Sequence, residues 1–146
     1  MLLFALSSLL IFLFSLGQLN HFLEIGGVQP NFGLALLITY AFFEKDWLRR
    51  SALILFTIFL LNFEPVFNLE TLFIIISLFV LVALVDYIKW QPLLSAISIT
   101  VVGTIIMNLY TFQLEVVLME IIYNLICIAV FALLLIFIKT KFNRSV

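Results

Sequence analysis

Residues 30–63 read PNFGLALLITYAFFEKDWLRRSALILFTIFLLNF, two apolar runs separated by Glu44-Lys45-Asp46-Trp47-Leu48-Arg49-Arg50. That separator holds Lys45, Arg49 and Arg50, three of the seven bases in the chain. Moving outward, Lys89 lies in the next gap but one between apolar runs, and Lys139, Lys141 and Arg144 follow the last run. The alternate gaps contain no Lys or Arg. Positively charged loops are retained in the cytoplasm during insertion, so this alternation reports both the number of crossings and their direction. The expectation is an all-α integral membrane protein with six transmembrane helices and both termini cytoplasmic.

Composition points the same way. Of 146 residues, 66% are hydrophobic and 10% charged, against roughly 45–50% and about 25% in ordinary soluble domains. The net charge of −1 conceals a separation by side. The expected inner side carries seven bases against Glu44, Asp46 and Asp86, a balance of +4. The expected outer side carries Glu24, Glu64, Glu70, Glu115 and Glu120, a balance of −5. Cys127 is the sole cysteine, so no intramolecular disulfide forms, and its apolar surroundings suit a small buried residue. His21 is the sole histidine, which leaves little room for histidine-based catalysis or metal binding.

The expected spans are 2–19, 30–43, 51–63, 70–85, 92–112 and 116–138, in one helical membrane domain over 1–146. The first lacks a basic leading region and is read as a retained helix, not a signal peptide. Residues 20–29 form the longest loop, with Gly26-Gly27 inside it. Pro30 and Pro92 are expected in the first turns of helices two and five, where a missing N–H costs nothing. Trp47 and Trp90 flank inner-side bases, as interfacial aromatic anchors do. Several spans fall short of the ~20 residues that cross a bilayer, which implies local thinning or snorkelling ends.

Polar residues inside the apolar runs are few. Ala96, Thr100, Thr104 and Asn108 recur every four residues along helix five, with Gly103 and Thr111 beside them. Such a stripe serves either a close helix–helix contact or a substrate pathway. On helix six, Glu120, Asn124 and Cys127 share one face. With a turn centred on Leu114, Asn108 and Glu120 fall at similar depth, and Thr104 falls level with Asn124. Glu120 therefore either bonds Asn108 or sits solvated at the outer headgroups. Asn62, Glu64, Asn68 and Glu70 form an outer polar turn, read as solvated unless two acids share acid/base work.

The chain has no Gly-rich phosphate loop, no Ser-His-Asp set, no HExxH and no Cys pair. No base lies deep within an expected span, and no span is broken at mid-depth by Gly or Pro, as transporter binding helices commonly are. An enzyme, a cofactor and a metal are not expected.

Gln29-Pro30-Asn31-Phe32, followed by Leu34, Leu36, Leu37, Ile38, Tyr40 and Phe42, resembles the start of the second helix in the MreD family. Asn124, its long aliphatic and aromatic run, and Lys139 and Lys141 resemble the last helix of that family. The resemblance implies a small multi-spanning component of the bacterial rod-shape system, in the inner membrane, with a fold similar to the substrate-binding subunits of energy-coupling-factor transporters. It implies partnership with a membrane-anchored MreC-like protein and with other proteins of peptidoglycan elongation, and no nucleic acid. Members usually carry an acid with neighbouring glycines at the end of helix three, where this chain reads Asn62-Phe63-Glu64-Pro65.

The expected function is a non-enzymatic scaffold for cell-wall elongation that maintains rod shape. The residues expected to serve helix or partner contacts are Pro30, Asn31, Thr100, Gly103, Thr104, Asn108, Glu120 and Asn124, with Asn62 and Glu64 in the outer turn. The alternative is a vitamin-type substrate-binding subunit of an energy-coupling transporter. The docking motif of those subunits, Ala-x-x-x-Ala on helix one, is absent, since Leu9 follows Ala5 at that spacing.

Overall fold

The structure is a computed structural model that describes residues 1–19, 21, 24–61, 69–88, 91–109 and 113–143. Among these residues, six helices occur and no strand: α1 (Leu2–Leu19), α2 (Phe32–Phe43), α3 (Trp47–Leu61), α4 (Leu69–Tyr87), α5 (Pro92–Met107) and α6 (Leu114–Asn143). The all-α expectation therefore holds, with shifted boundaries.

Each shift has a local cause. Pro30 precedes α2 and does not open it, because Asn31 is the N-cap and its side chain accepts the Leu34 N–H at 2.9 Å. Helix α3 begins at Trp47 and not at Ser51, because Asp46 accepts the Leu48 N–H at 3.0 Å and its carbonyl accepts the Arg50 N–H at 3.1 Å. Arg49 and Arg50 thus belong to the first turn of α3. Helix α5 ends at Met107, where the Asn108 N–H folds back on the carbonyls of Thr104 and Ile105 at 3.2 Å each. Helix α6 exceeds its expected span at both ends and reaches 30 residues. Ahead of α2, Ile25 and Val28 exchange backbone bonds of 3.1 and 3.2 Å across Gly26 and Gly27. Both glycines have positive φ, 63° and 80°, the geometry of a two-residue hairpin turn.

Helix α2 occupies the centre. It touches all five others, which neighbour one another around it in the order α1, α3, α4, α5, α6. Its sequence from Phe32 to Ala41 is apolar apart from Thr39 and the Tyr40 hydroxyl, and every one of these residues is buried. A helix apolar all round belongs inside, and this one is enclosed by Ile11 of α1, Leu53 and Ile54 of α3, Leu81 of α4, Ile99 of α5 and Ile128 of α6. Phe14 of α1 stacks on Phe32 with ring centroids 4.7 Å apart and meets the edge of Phe131 on α6 at 5.4 Å. Gly103 lets α5 approach closely. A methyl group there would lie 3.0 Å from Leu81 Cδ1 and 3.2 Å from Leu34 Cδ1.

The outward faces of this ring are also apolar. Leu9 and Leu13, Leu55 and Phe59, Val80, Ile122, Ile126 and Val130 are all exposed. Apolar surface this extensive marks contact with a membrane or another protein. Over Leu114–Ile138, 25 residues, α6 is long and apolar enough to cross a bilayer. Only 22% of its apolar window is buried, unlike the core helix of a soluble protein. The other apolar stretches, Leu2–Gln18, Phe32–Phe43, Thr71–Tyr87 and Pro92–Met107, are shorter. Helix length thus supports one crossing among the described residues and does not establish six.

Candidate functional site

A helix that ends inside an apolar interior leaves its first N–H groups and last carbonyls without partners, at a cost of about 1–3 kcal/mol for each one left bare. Helix α2 has 12 residues, too few to reach both faces of a bilayer. Side chains from other helices meet it at both ends, and among the described residues those two clusters hold the buried Arg50, Glu120 and Asn124.

At the N-terminal end, the Asn31 N–H donates to Asn124 Oδ1 on α6 at 2.7 Å. Asn124 Nδ2 donates to Thr104 Oγ1 on α5 at 2.8 Å, and Thr104 Oγ1 donates to the Thr100 carbonyl at 2.9 Å. Asn124, Thr104 and Thr100 are all wholly buried. One turn further along, Asn108 Nδ2 donates to Glu120 Oε2 at 2.8 Å and to the Thr104 carbonyl at 2.9 Å. The Pro30 carbonyl is held from α1 by Gln18 Nε2 at 2.7 Å. Three helices, α1, α5 and α6, thus converge on the residues that open α2.

Of the two alternatives for Glu120, the structure shows the bond to Asn108, and Thr104, expected level with Asn124, is bonded to it. Glu120 is 9% exposed, which places it within the bundle and not at a solvated edge. Cys127 is half-buried against the core, as a small apolar residue would be. Pro30 and Asn31 join the same cluster, which sequence spacing did not indicate, since Asn31 lies 93 residues from Asn124. Gly103 lies beside it and faces α2 and α4. The Thr100 hydroxyl has no hydrogen-bond partner among the described residues, although its carbonyl serves Thr104. Asn62, Glu64 and Asn68 lie outside the described residues, as do Thr111, Lys89 and Trp90.

At the C-terminal end, Arg50 of α3 does the equivalent work with charge. Its Nη2 donates to the Ala41 carbonyl and its Nε to the Glu44 carbonyl, each at 2.6 Å. Its Nη1 donates to Asp86 Oδ2 at 2.7 Å. The Arg50 side chain is 2% exposed, whereas Asp86 is 56% exposed, so the buried cation is balanced from the protein's edge. Arg50, read from the sequence only as one of the seven bases that report topology, is thus also an interior strut. A planar fork reaching three acceptors on two sides is within reach of Arg and not of Lys.

Beside it, Arg49 Nη1 donates to Glu44 Oε2 at 2.9 Å, and the Asp46 N–H donates to Glu44 Oε1 at 3.1 Å. Burial alone would raise the Glu44 carboxyl. The Arg49 hydrogen bond and the N–H groups of Asp46 and Lys45 outweigh it and hold the group below its ordinary value.

Chemically, the N-terminal cluster is a set of neutral donors and acceptors spent on one another apart from the Thr100 hydroxyl, with Glu120 at its margin. Among the described residues no group of three or more His, Cys, Asp or Glu is placed to hold a metal ion. No protein-family model, curated protein or solved structure matches the chain.

Proposed function

We propose that the chain is a multi-pass scaffold of the bacterial inner membrane, resembling the MreD family, with six helices crossing in alternation and both ends inside the cell. It binds an MreC-like, membrane-anchored partner of the cell-wall elongation machinery and performs no chemistry of its own. The observation that carries this reading is the 2.7 Å bond from the Asn31 N–H to Asn124. The two segments that resemble the family, the Pro-Asn start of helix two and the Asn-led last helix, meet at that atom pair.

Short helices are compatible with such a topology. Non-helical backbone is tolerated at membrane depth where protein surrounds and satisfies it, and both ends of α2 meet that condition. The outward apolar faces then meet lipid, and the exposed outer-helix residues supply the partner surface. A vitamin-type carrier would need polar groups free to converge on a ligand. Asn31, Thr104, Asn108, Glu120 and Asn124 instead bond one another, which favours the scaffold.

Affinity purification of the tagged full chain from native membranes should recover an MreC-like protein. Recovery of an ATPase module in its place would transfer support to the transporter alternative. Depletion in a rod-shaped host should round the cells, and unchanged shape with normal wall insertion would refute the scaffold.

A further inference from the structure

Between α2, α5 and α6, at the end of the bundle near Phe43 and Pro92, lies an apolar cavity of about 670 Å³. Its volume falls within the ~300–1,000 Å³ typical of small-molecule sites. Along α6 it extends from Ile128 to Ile136, which at 1.5 Å per residue is about 12 Å. One leaflet of hydrocarbon is about 15 Å deep. Ala96, Ala129 and Ala132 line it and, projecting little, leave that space open.

A second, more polar pocket of about 260 Å³ shares Phe42 and Pro92 with the first and includes Lys45, Arg50 and Asp86. In that pocket Arg50 is engaged by Asp86 and two carbonyls. Lys45 is exposed, and its ammonium has no ion-pair partner among the described residues. A slot most of one leaflet deep with an unpaired cation at its mouth matches a lipid with an anionic headgroup.

We infer that the chain holds an anionic phospholipid of the inner leaflet, with one acyl chain along α6 between Ile128 and Ile136 and its phosphate at Lys45. The site rests on the membrane orientation proposed above, which puts Lys45 and Pro92 at the cytoplasmic face. The lipid would fill the space between α2, α5 and α6.

The test uses the full chain in vesicles of equal parts phosphatidylcholine and phosphatidylglycerol, with one of the two carrying a photoactivatable acyl chain. Crosslinks from phosphatidylglycerol should concentrate at Ala129, Ala132 and Leu133, and phosphatidylcholine should label them more weakly. Lys45→Gln should reduce the phosphatidylglycerol preference about fivefold, the value of one basic residue at a membrane surface. Ala132→Trp should abolish labelling in the slot, whereas Ile126→Trp, on an exposed face of α6, should leave it intact. Equal labelling by both lipids, indifference to Lys45→Gln, or uniform labelling of all exposed faces would overturn the site. A chain that alkaline washing strips from the vesicles would overturn the membrane reading itself; a chain that stays inserted but labels uniformly defeats the lipid site alone.

Discussion

The two ends of α2 solve one problem with opposite chemistry. At the start, neutral amides and hydroxyls from α5 and α6 complete the helix, and Asn124 is wholly buried. At the finish, a guanidinium does so, balanced by a carboxylate that is 56% exposed. Asn124 lies about 15 Å along α6 from Leu114, at 1.5 Å per residue, so in the proposed topology the neutral cluster is deep. Arg50 lies near an edge that carries Glu44, Asp46 and Asp86. Burying a charge costs several kcal/mol unless it is paired, and pairing is easiest near water. The difference teaches that depth selects the kind of cap: charge where solvent can reach the counter-ion, neutral amides where it cannot.

The most damaging way to break this contrast is at the charged end. Arg50→Ala removes three charge-assisted bonds and leaves the Ala41 and Glu44 carbonyls bare. A loss of about 2–3 kcal/mol is expected, read as a fall in the unfolding midpoint of the detergent-solubilised chain. Arg50→Lys should recover less than half of that, because an ammonium cannot serve both carbonyls and Asp86. Full recovery by Lys would mean that only the charge matters.

At the neutral end, Asn124→Leu should cost about 1–2 kcal/mol, since it leaves the Asn31 N–H unpaired while polar contacts within membranes are individually modest. Thr104→Val, which keeps the shape but loses two bonds, should cost less than Asn124→Leu in the same assay. If Thr104→Val costs more, the hydroxyl and not the amide organises the cluster.

How far these ends could be read from the chain differs in the same way. Asn108 with Glu120 and Thr104 with Asn124 follow from residue spacing about one short turn, because depth is symmetric on either side of it. Asn31 could not be found so, as its partner is 93 residues away and bonds a backbone N–H, which every residue but proline possesses. Arg50 was hidden by context. In a membrane chain, a base next to an apolar run reads first as an orientation signal, and only its packing against Ala41 and Asp86 shows it to be interior. The six helices were legible from hydropathy, but their ends were not: capping by Asn31 and Asp46 moved two starts, by two and by four residues. The outer turn at Asn62 and Glu64 falls outside the described residues.

The smallest effect should come from pH. The Glu44 carboxyl is held below its ordinary value, chiefly by Arg49 acting against burial. Its stabilising contribution is therefore complete above the unfolded carboxylate value, about 4.3, and is lost as pH falls through the lower folded value. Unfolding midpoints between about pH 6 and 3 should decline less steeply for Glu44→Gln than for the wild type. Because Arg49 is 38% exposed, added salt should shrink the difference. Equal slopes would show that the Glu44–Arg49 pair contributes nothing to the charged end.

The central claim is that α2 lies inside a bundle whose two ends face opposite sides of a membrane. Single cysteines placed in a Cys127→Ala background, at Glu24, Lys45, Asp86 and Glu115, can be labelled in cells with a membrane-impermeant maleimide. Positions 24 and 115 should label in intact cells, and positions 45 and 86 only after permeabilisation. Labelling of position 45 in intact cells, or equal labelling of all four, would contradict the topology on which the account depends.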